Sequence, residues 1–252
     1  TLYNPASIAT SLNHPTSSYT ILHHNGLWHS MMHHGSFSCP NKEELLQRCE
    51  QSKQLLQDAL KEATTIIVTF GTAWVYEYAG TVVGNCHKIP ANQFVRRRMT
   101  GEEIFATWQP LVEAMPDKKW LFTVSPIRHV KDGLHENHIN KGILLQAVEQ
   151  LTKQSGCSYF PAYEIMLDEL RDYRYYAEDM VHPSFMAVEY IWHRLVETYM
   201  TADTQAEMKT LHQLWRDEHH RFIHPDSMEA KRFLERLGQK KHELQEDYPW
   251  IE

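Results

Sequence analysis

Apolar residues along this chain fall into short runs that alternate with stretches of helical spacing. The first strong helical signal follows Asn41-Lys42-Glu43-Glu44, which has the N-cap and N3 residues of a capping box. Leu45, Leu46, Cys49, Leu55, Leu56 and Leu60 then recur near helical spacing and predict a helix to about residue 63. Thr65-Ile66-Ile67-Val68-Thr69-Phe70 reads as a buried strand ended by Gly71. The stretch from Trp74 to Val83 reads as a hairpin turning near Ala79-Gly80. Thr100-Gly101-Glu102-Glu103 is a second capping box, opening a helix through about residue 114. Trp120-Leu121-Phe122-Thr123-Val124 predicts another buried strand, stopped by Ser125-Pro126. A helix over 137–153, a strand at Ser158-Tyr159-Phe160, a short helix near 163–170 and a helix from 184 to about 200 complete the pattern.

Hydrophobic strands alternating with amphipathic helices predict an α/β fold with a parallel sheet covered on both faces. Ligands in such sheets bind at the carboxyl ends of the strands. Those ends here are Gly71-Thr72-Ala73-Trp74, Ser125-Pro126-Ile127-Arg128-His129 and the segment 161–182. Beyond Met200 the sequence becomes charged and helical, with two helices parted by His224-Pro225-Asp226-Ser227. The expected organisation is a principal domain over 1–200 and a C-terminal helical extension over 201–252.

Composition narrows the function classes. A length of 252 residues with 42% hydrophobic content supports a sizeable core and argues against global disorder. The net charge of -7 argues against a nucleic-acid partner held through phosphates, and Arg96-Arg97-Arg98 is too short a run to reverse that. Four cysteines without zinc-like spacing fit a reduced compartment, so a cytoplasmic protein is expected. No apolar run is long enough to span a bilayer and no signal peptide is visible, so no membrane partner is expected. Among 17 histidines, His23, His24, His29, His33 and His34 crowd around Trp28 between Tyr19 and Ser38. No His-Glu-x-x-His or other ligand spacing occurs there, so a substrate-lining loop or surface is expected, with no metal and no cofactor.

Candidate chemistry concentrates in Asp179-Met180-Val181-His182-Pro183-Ser184. An aspartate three residues before a histidine can fix the imidazole tautomer through one ring nitrogen while the other takes a proton from a nucleophile. The plain alternative is that Asp179 caps a turn around a satisfied loop histidine. Gly71 allows a tight turn out of its strand, with backbone N–H groups available to a cleft, or simply ends the strand. Asn85 offers a side-chain donor to an oxyanion, or forms a turn. Ser125 stands at a strand end but lacks the Gly-x-Ser-x-Gly elbow that exposes a nucleophile. Arg128 and His129 can hold an anionic group or pair with acidic neighbours.

Taken in order, these segments resemble the GSCFA family, a branch of the SGNH (GDSL-like) hydrolase superfamily. The resemblance rests on Tyr3-Asn4-Pro5-Ala6-Ser7-Ile8, Thr69-Phe70-Gly71-Thr72-Ala73-Trp74, Asn85-Cys86-His87-Lys88, Thr123-Val124-Ser125-Pro126-Ile127-Arg128-His129, Phe160-Pro161-Ala162-Tyr163-Glu164 and the stretch 170–184. It implies a flavodoxin-like three-layer α/β/α sandwich and ester hydrolysis by a serine, with His182 as general base and Asp179 as its orienting partner. Gly71 and Thr72 occupy the place of the superfamily's Gly-x-Asn-Asp; with that asparagine missing, Asn85 is the substitute oxyanion donor. Arg128 joins the substrate-binding set. The family's Gly-Ser-Cys-Phe-Ala, which holds the expected nucleophile, does not occur in the chain. Its usual place is upstream of the Tyr3 segment, so the sequence is expected to start after the nucleophile and to be inactive alone. The expected partner is a small-molecule or carbohydrate ester, and the C-terminal helices offer a surface for homo-oligomers. Two rival expectations are a non-catalytic glycan-binding module on the same scaffold and a metal-dependent hydrolase using the histidine-rich loop.

Overall fold

The computed structural model describes residues 2–13 and 20–251; Tyr19, at the start of the histidine-rich stretch, lies outside the described residues. The chain forms α1 (Pro5–Asn13), a hairpin of β1 (Ile21–His24) and β2 (Leu27–Ser30), α2 (Lys42–Glu62) and β3 (Thr65–Phe70). An antiparallel sheet follows, with β4 (Trp74–Tyr78) between β5 (Thr81–Val83) and β6 (Val95–Arg98). Next come α3 (Gly101–Glu113), β7 (Lys119–Val124), α4 (Leu134–Leu151), β8 (Cys157–Phe160) and the short α5 (Ala162–Glu164). The helices α6 (Phe185–Tyr199), α7 (Ala202–Glu218) and α8 (Met228–Asp247) complete the described chain.

A parallel sheet of three strands runs in the order β3-β7-β8. Central β7 is buried from Trp120 to Val124, as a strand covered on both faces must be. β3 pairs with β7 alone among the described strands, and only Val68 and Phe70 are buried along it. Ile67 is 53% exposed, so β3 is a half-covered edge rather than the fully buried strand its composition predicts. Trp108 from α3 is fully buried and meets Phe70, Trp120 and Phe122 edge-on. Its indole N–H donates to the Pro5 carbonyl (3.1 Å), which satisfies the one polar atom the ring carries inward.

Local signals explain most boundaries. Thr100 and Glu103 exchange both hydrogen bonds of a capping box at α3, and the Asn41 side chain accepts from Glu44 N at α2. On α2, Leu45 and Cys49 are buried beside Cys39, and Leu56 and Leu60 lean on the main core. Leu46 and Leu55 face solvent instead. Ala79 and Gly80 both have positive φ (49° and 78°), as a two-residue turn between β4 and β5 requires. The short helix predicted near 163–170 is the single turn α5 followed by a wide turn in which Leu170 N reaches Ile165 O. Its predecessor among the surprises is the β1–β2 hairpin, in the stretch read as a histidine-rich loop. Asn25-Gly26, both at positive φ, is the turn signal that betrays it.

The triple-arginine run is strand β6, and its cations are spent locally. Arg96 pairs with Asp132, Arg97 with Glu77 and Glu103, and Arg98 with Glu136. The chain divides into two units, Thr1–Ile191 and Trp192–Glu252. The second holds the α7–α8 pair, with Lys240–Asp217 and Lys241–Glu218 ion pairs and Phe222 edge-on to Phe233. Among the described residues no helix is long and apolar enough to cross a membrane.

Candidate functional site

The loop between the wide turn and α6 is folded around Asp179. Its Oδ1 accepts from Val181 N and His182 N (both 2.9 Å), while Oδ2 meets His182 Nδ1 at 2.6 Å. These bonds from the His182 and Val181 amides, more than the imidazole, pull the Asp179 carboxyl down to about 2. Met180 between them adopts positive φ (58°). The loop is closed behind by Ala177 N to His182 O (2.8 Å) and Ser184 N to Tyr175 O (2.7 Å). An ionised carboxylate at Nδ1 makes that nitrogen the proton-bearing one, so Nε2 presents a lone pair. The His182 side chain is 57% exposed, and among the described residues no hydrogen bond reaches its Nε2. Such a nitrogen can accept a proton.

Arg128 ties this loop to the carboxyl end of β7. Its backbone N–H donates to Val181 O (3.2 Å), Nη1 donates to Met180 O (3.3 Å), and its guanidinium lies 3.8 Å over the Tyr176 ring. One residue on, His129 Nε2–H donates to Gly71 O (3.0 Å), which links the ends of β7 and β3. Burial, helped by Lys141, lowers the His129 pKa, so the neutral imidazole donates here.

Beneath these strand ends lies a polar cluster that sequence reasoning missed. Asn137, Asn140 and Lys141 of α4 are all buried. Asn137 Oδ1 accepts from His129 N (2.9 Å); Asn140 Oδ1 accepts from Ala73 N (2.7 Å) and Thr72 Oγ1 (3.1 Å). Lys141 Nζ donates to Gly71 O (2.8 Å) and Ser125 O (2.7 Å), with no carboxylate partner among the described residues. Desolvation lowers its pKa to about 7, where an uncharged amine has two N–H donors for two carbonyls. The signal was available. Residues 137, 140 and 141 share helical spacing with Leu144, Ala147, Val148 and Leu151, so three polar residues occupy core-facing positions.

The remaining sequence candidates divide. Gly71 and Thr72 join this constellation, but their N–H groups are engaged: both donate to Tyr3 O (2.8 and 3.2 Å). The Thr72 hydroxyl is likewise spent, donating to Asn140 and accepting from Trp74 N (3.1 Å). Gly71 is required by proximity, because a Cβ there would stand 3.0 Å from Tyr3 O. A Cβ on Gly84 would meet Leu2 at 2.5 Å, so the segments of Gly71 and Asn85 flank the dipeptide Leu2-Tyr3. The Asn85 Oδ1 accepts from His87 N (2.9 Å) within a turn, while its Nδ2 makes no hydrogen bond among the described residues. Ser125 Oγ accepts from Ile127 N (3.3 Å). The histidine-rich hairpin spends its rings on neighbours: His29 on Ser38 and the His24 carbonyl, His33 on Ser30. Among the described residues no three potential ligands from histidine, cysteine and the acids stand together.

Comparison with known proteins adds one finding. No curated protein and no solved structure matches the chain. The model of the GSCFA family matches residues 1–195, a span that takes in the strand ends, α4 and the Asp179–His182 loop. The chain therefore belongs to the GSCFA family.

Proposed function

We propose that this chain carries the general base and its orienting carboxylate for a serine ester hydrolase of the SGNH (GDSL-like) type. One observation carries the reading: Asp179 grips His182 Nδ1 at 2.6 Å and leaves Nε2 open, in a loop anchored to a strand end by Arg128. The sheet is consistent with it. In a flavodoxin-like sheet of order 2-1-3-4-5 the last three strands run in chain order, as β3-β7-β8 do. Among the described strands β3 has β7 as its one neighbour, and on this reading its other edge is where a first strand would pair.

In the proposed reaction a serine Oγ attacks the ester carbonyl as its proton passes to His182 Nε2. Asp179 keeps the resulting imidazolium oriented and compensated. The tetrahedral intermediate collapses, the C–O bond to the alcohol breaks, and Nε2–H returns the proton to the leaving oxygen. Water then repeats the sequence on the acyl-serine, releasing the acid. The Gly71 and Thr72 amides are held by Tyr3 O, so the Asn85 Nδ2 is assigned as side-chain donor to the oxyanion. These 252 residues contain no Gly-Ser-Cys-Phe-Ala, so the reading assigns them the base half of the site and not the nucleophile.

The test joins a segment bearing Gly-Ser-Cys-Phe-Ala in front of Leu2 and assays short-chain aryl esters. Hydrolysis should appear, fall by about 10³-fold or more in His182→Ala, and be negligible without the segment. Equal hydrolysis with and without His182 would sink the mechanism. The engagement of both Gly71 and Thr72 amides favours a second reading, a binding module without turnover. Saturable ligand binding with no hydrolysis in the joined protein is the result that selects it.

A further inference from the structure

We propose that the cavity beside the Asp179–His182 loop is a binding site for an oxyanion, a carboxylate or phosphate group. The cavity measures about 360 Å³ and lies between the end of β3, strands β4 and β6, and the turn after β7. Its lining carries three cations, Arg96, Arg128 and Lys131, against the single carboxylate of Asp132. Both Asp132 oxygens are already taken by Arg96. Among the described residues neither Arg128, which meets the Met180 carbonyl and the Tyr176 ring, nor Lys131 forms an ion pair within hydrogen-bonding distance. Three cations therefore share one carboxylate around a small cavity in a protein of net charge -7. That placement raises the local concentration of anions.

A hydrogen-bond vacancy points the same way. Arg96 Nε is buried and makes no well-aligned hydrogen bond among the described residues: its two terminal nitrogens are spent on Asp132, and the guanidinium's other polar neighbour is the Tyr76 hydroxyl. A buried donor left unpaired is destabilising unless a ligand or water accepts from it. An oxyanion supplies that acceptor together with the charge that Arg128 and Lys131 lack. A neutral sugar stacked on Trp74 fits less well, because the Arg96 guanidinium already lies 3.8 Å over that ring.

Arg128 is at once a wall of the cavity and the donor that anchors Met180 and Val181. Resting on the hydrolase reading, the anion belongs to the substrate, which makes the substrate class an ester with a carboxylate or phosphate substituent. The anion site itself does not depend on that reading.

The arginine Nε–H resonances of the ¹⁵N-labelled 252-residue protein provide the test, with the Arg96 signal assigned by its loss in Arg96→Lys. Acetate and inorganic phosphate are titrated separately, with sodium chloride at matched ionic strength and glucose as controls. A saturable shift of the Arg96 signal with acetate alone identifies a carboxylate site, and with phosphate alone a phosphate site. Lys131→Gln should weaken that binding about fivefold. If Arg96→Lys fails to fold, the Nε–H signal that responds to Lys131→Gln serves instead. No saturable shift with either anion, the same shift with chloride or glucose, or unchanged affinity in Lys131→Gln would overturn the proposal. The titration needs no turnover, so a failed ester assay and a failed anion site are told apart.

Discussion

Lys141 offers a prediction whose size follows from its surroundings. Its ammonium would be fully buried between the carbonyls of Gly71 and Ser125, with only dipoles for compensation. Desolvation brings its pKa from 10.5 to about 7. Between those two values the unfolded chain holds a proton there that the folded protein has released. Stability conferred at this position therefore rises with pH across that window, by up to about 1.4 kcal/mol per pH unit. Below pH 7 both states are largely protonated and the contribution levels off at its least favourable. Integrated from pH 7 to 9.5, the gain is about 3 kcal/mol. Lys141→Met removes the titration while keeping an unbranched side chain of similar length. Titrating groups remote from Lys141, including the buried cysteines, cancel in the difference; His129, whose pKa Lys141 helps to lower from the ordinary imidazole value, titrates on the acid side of the window that carries the gain. Urea denaturation of both proteins at pH 5, 7, 8 and 9.5 reads that difference. The wild type should gain about 3 kcal/mol relative to the variant between pH 7 and 9.5, and less than about 0.5 kcal/mol between pH 5 and 7. Parallel stability curves across the whole range would refute the account of Lys141 as a desolvated amine.

Other consequences can be checked on the same protein. Gly71→Ala places a Cβ 3.0 Å from Tyr3 O and should cost about 1–3 kcal/mol in urea denaturation; a neutral substitution would mean that Leu2-Tyr3 does not pack there. Trp108→Ala empties the centre of the aromatic cluster and should cost about 3–5 kcal/mol by the same method. The Asp179 contribution to its loop is fully present above the ordinary carboxyl value of 3.8 and is lost as pH falls through about 2. The Val181 and His182 amide resonances should therefore titrate with a midpoint near 2, and a midpoint near 3.8 would contradict the double capping.

The parallel sheet and the placement of its ends were legible because β7 carries a compact apolar run after the capped helix α3, and Ser125-Pro126 and Pro161 stop β7 and β8. The edge status of β3 was not, since Ile66, Ile67 and Val68 read as buried whatever lies beside them; pairing partners are a property of the whole sheet. Asp179 and His182 could be named from spacing because their partnership is local, three residues within one loop. Lys141 could not be found that way. Its acceptors lie 70 and 16 residues away, and only three polar residues on the buried face of α4 hinted at them. The engagement of the Gly71 and Thr72 amides was hidden for a similar reason: Tyr3, remote in sequence, accepts from both. Arg96, dismissed with its neighbours as a short basic run, became informative only once β6 set it over Trp74 beside Asp132.

The central claim is that His182 Nε2 is the base for a serine nucleophile. Its most direct test treats the protein bearing a Gly-Ser-Cys-Phe-Ala segment before Leu2 with a fluorophosphonate, which phosphonylates only activated serines, and locates the adduct by mass spectrometry. The account predicts a single adduct on the serine of that segment, absent in His182→Ala and strongly slowed in Asp179→Asn. Labelling that proceeds unchanged in His182→Ala, or no adduct on that serine in the folded protein, would contradict it.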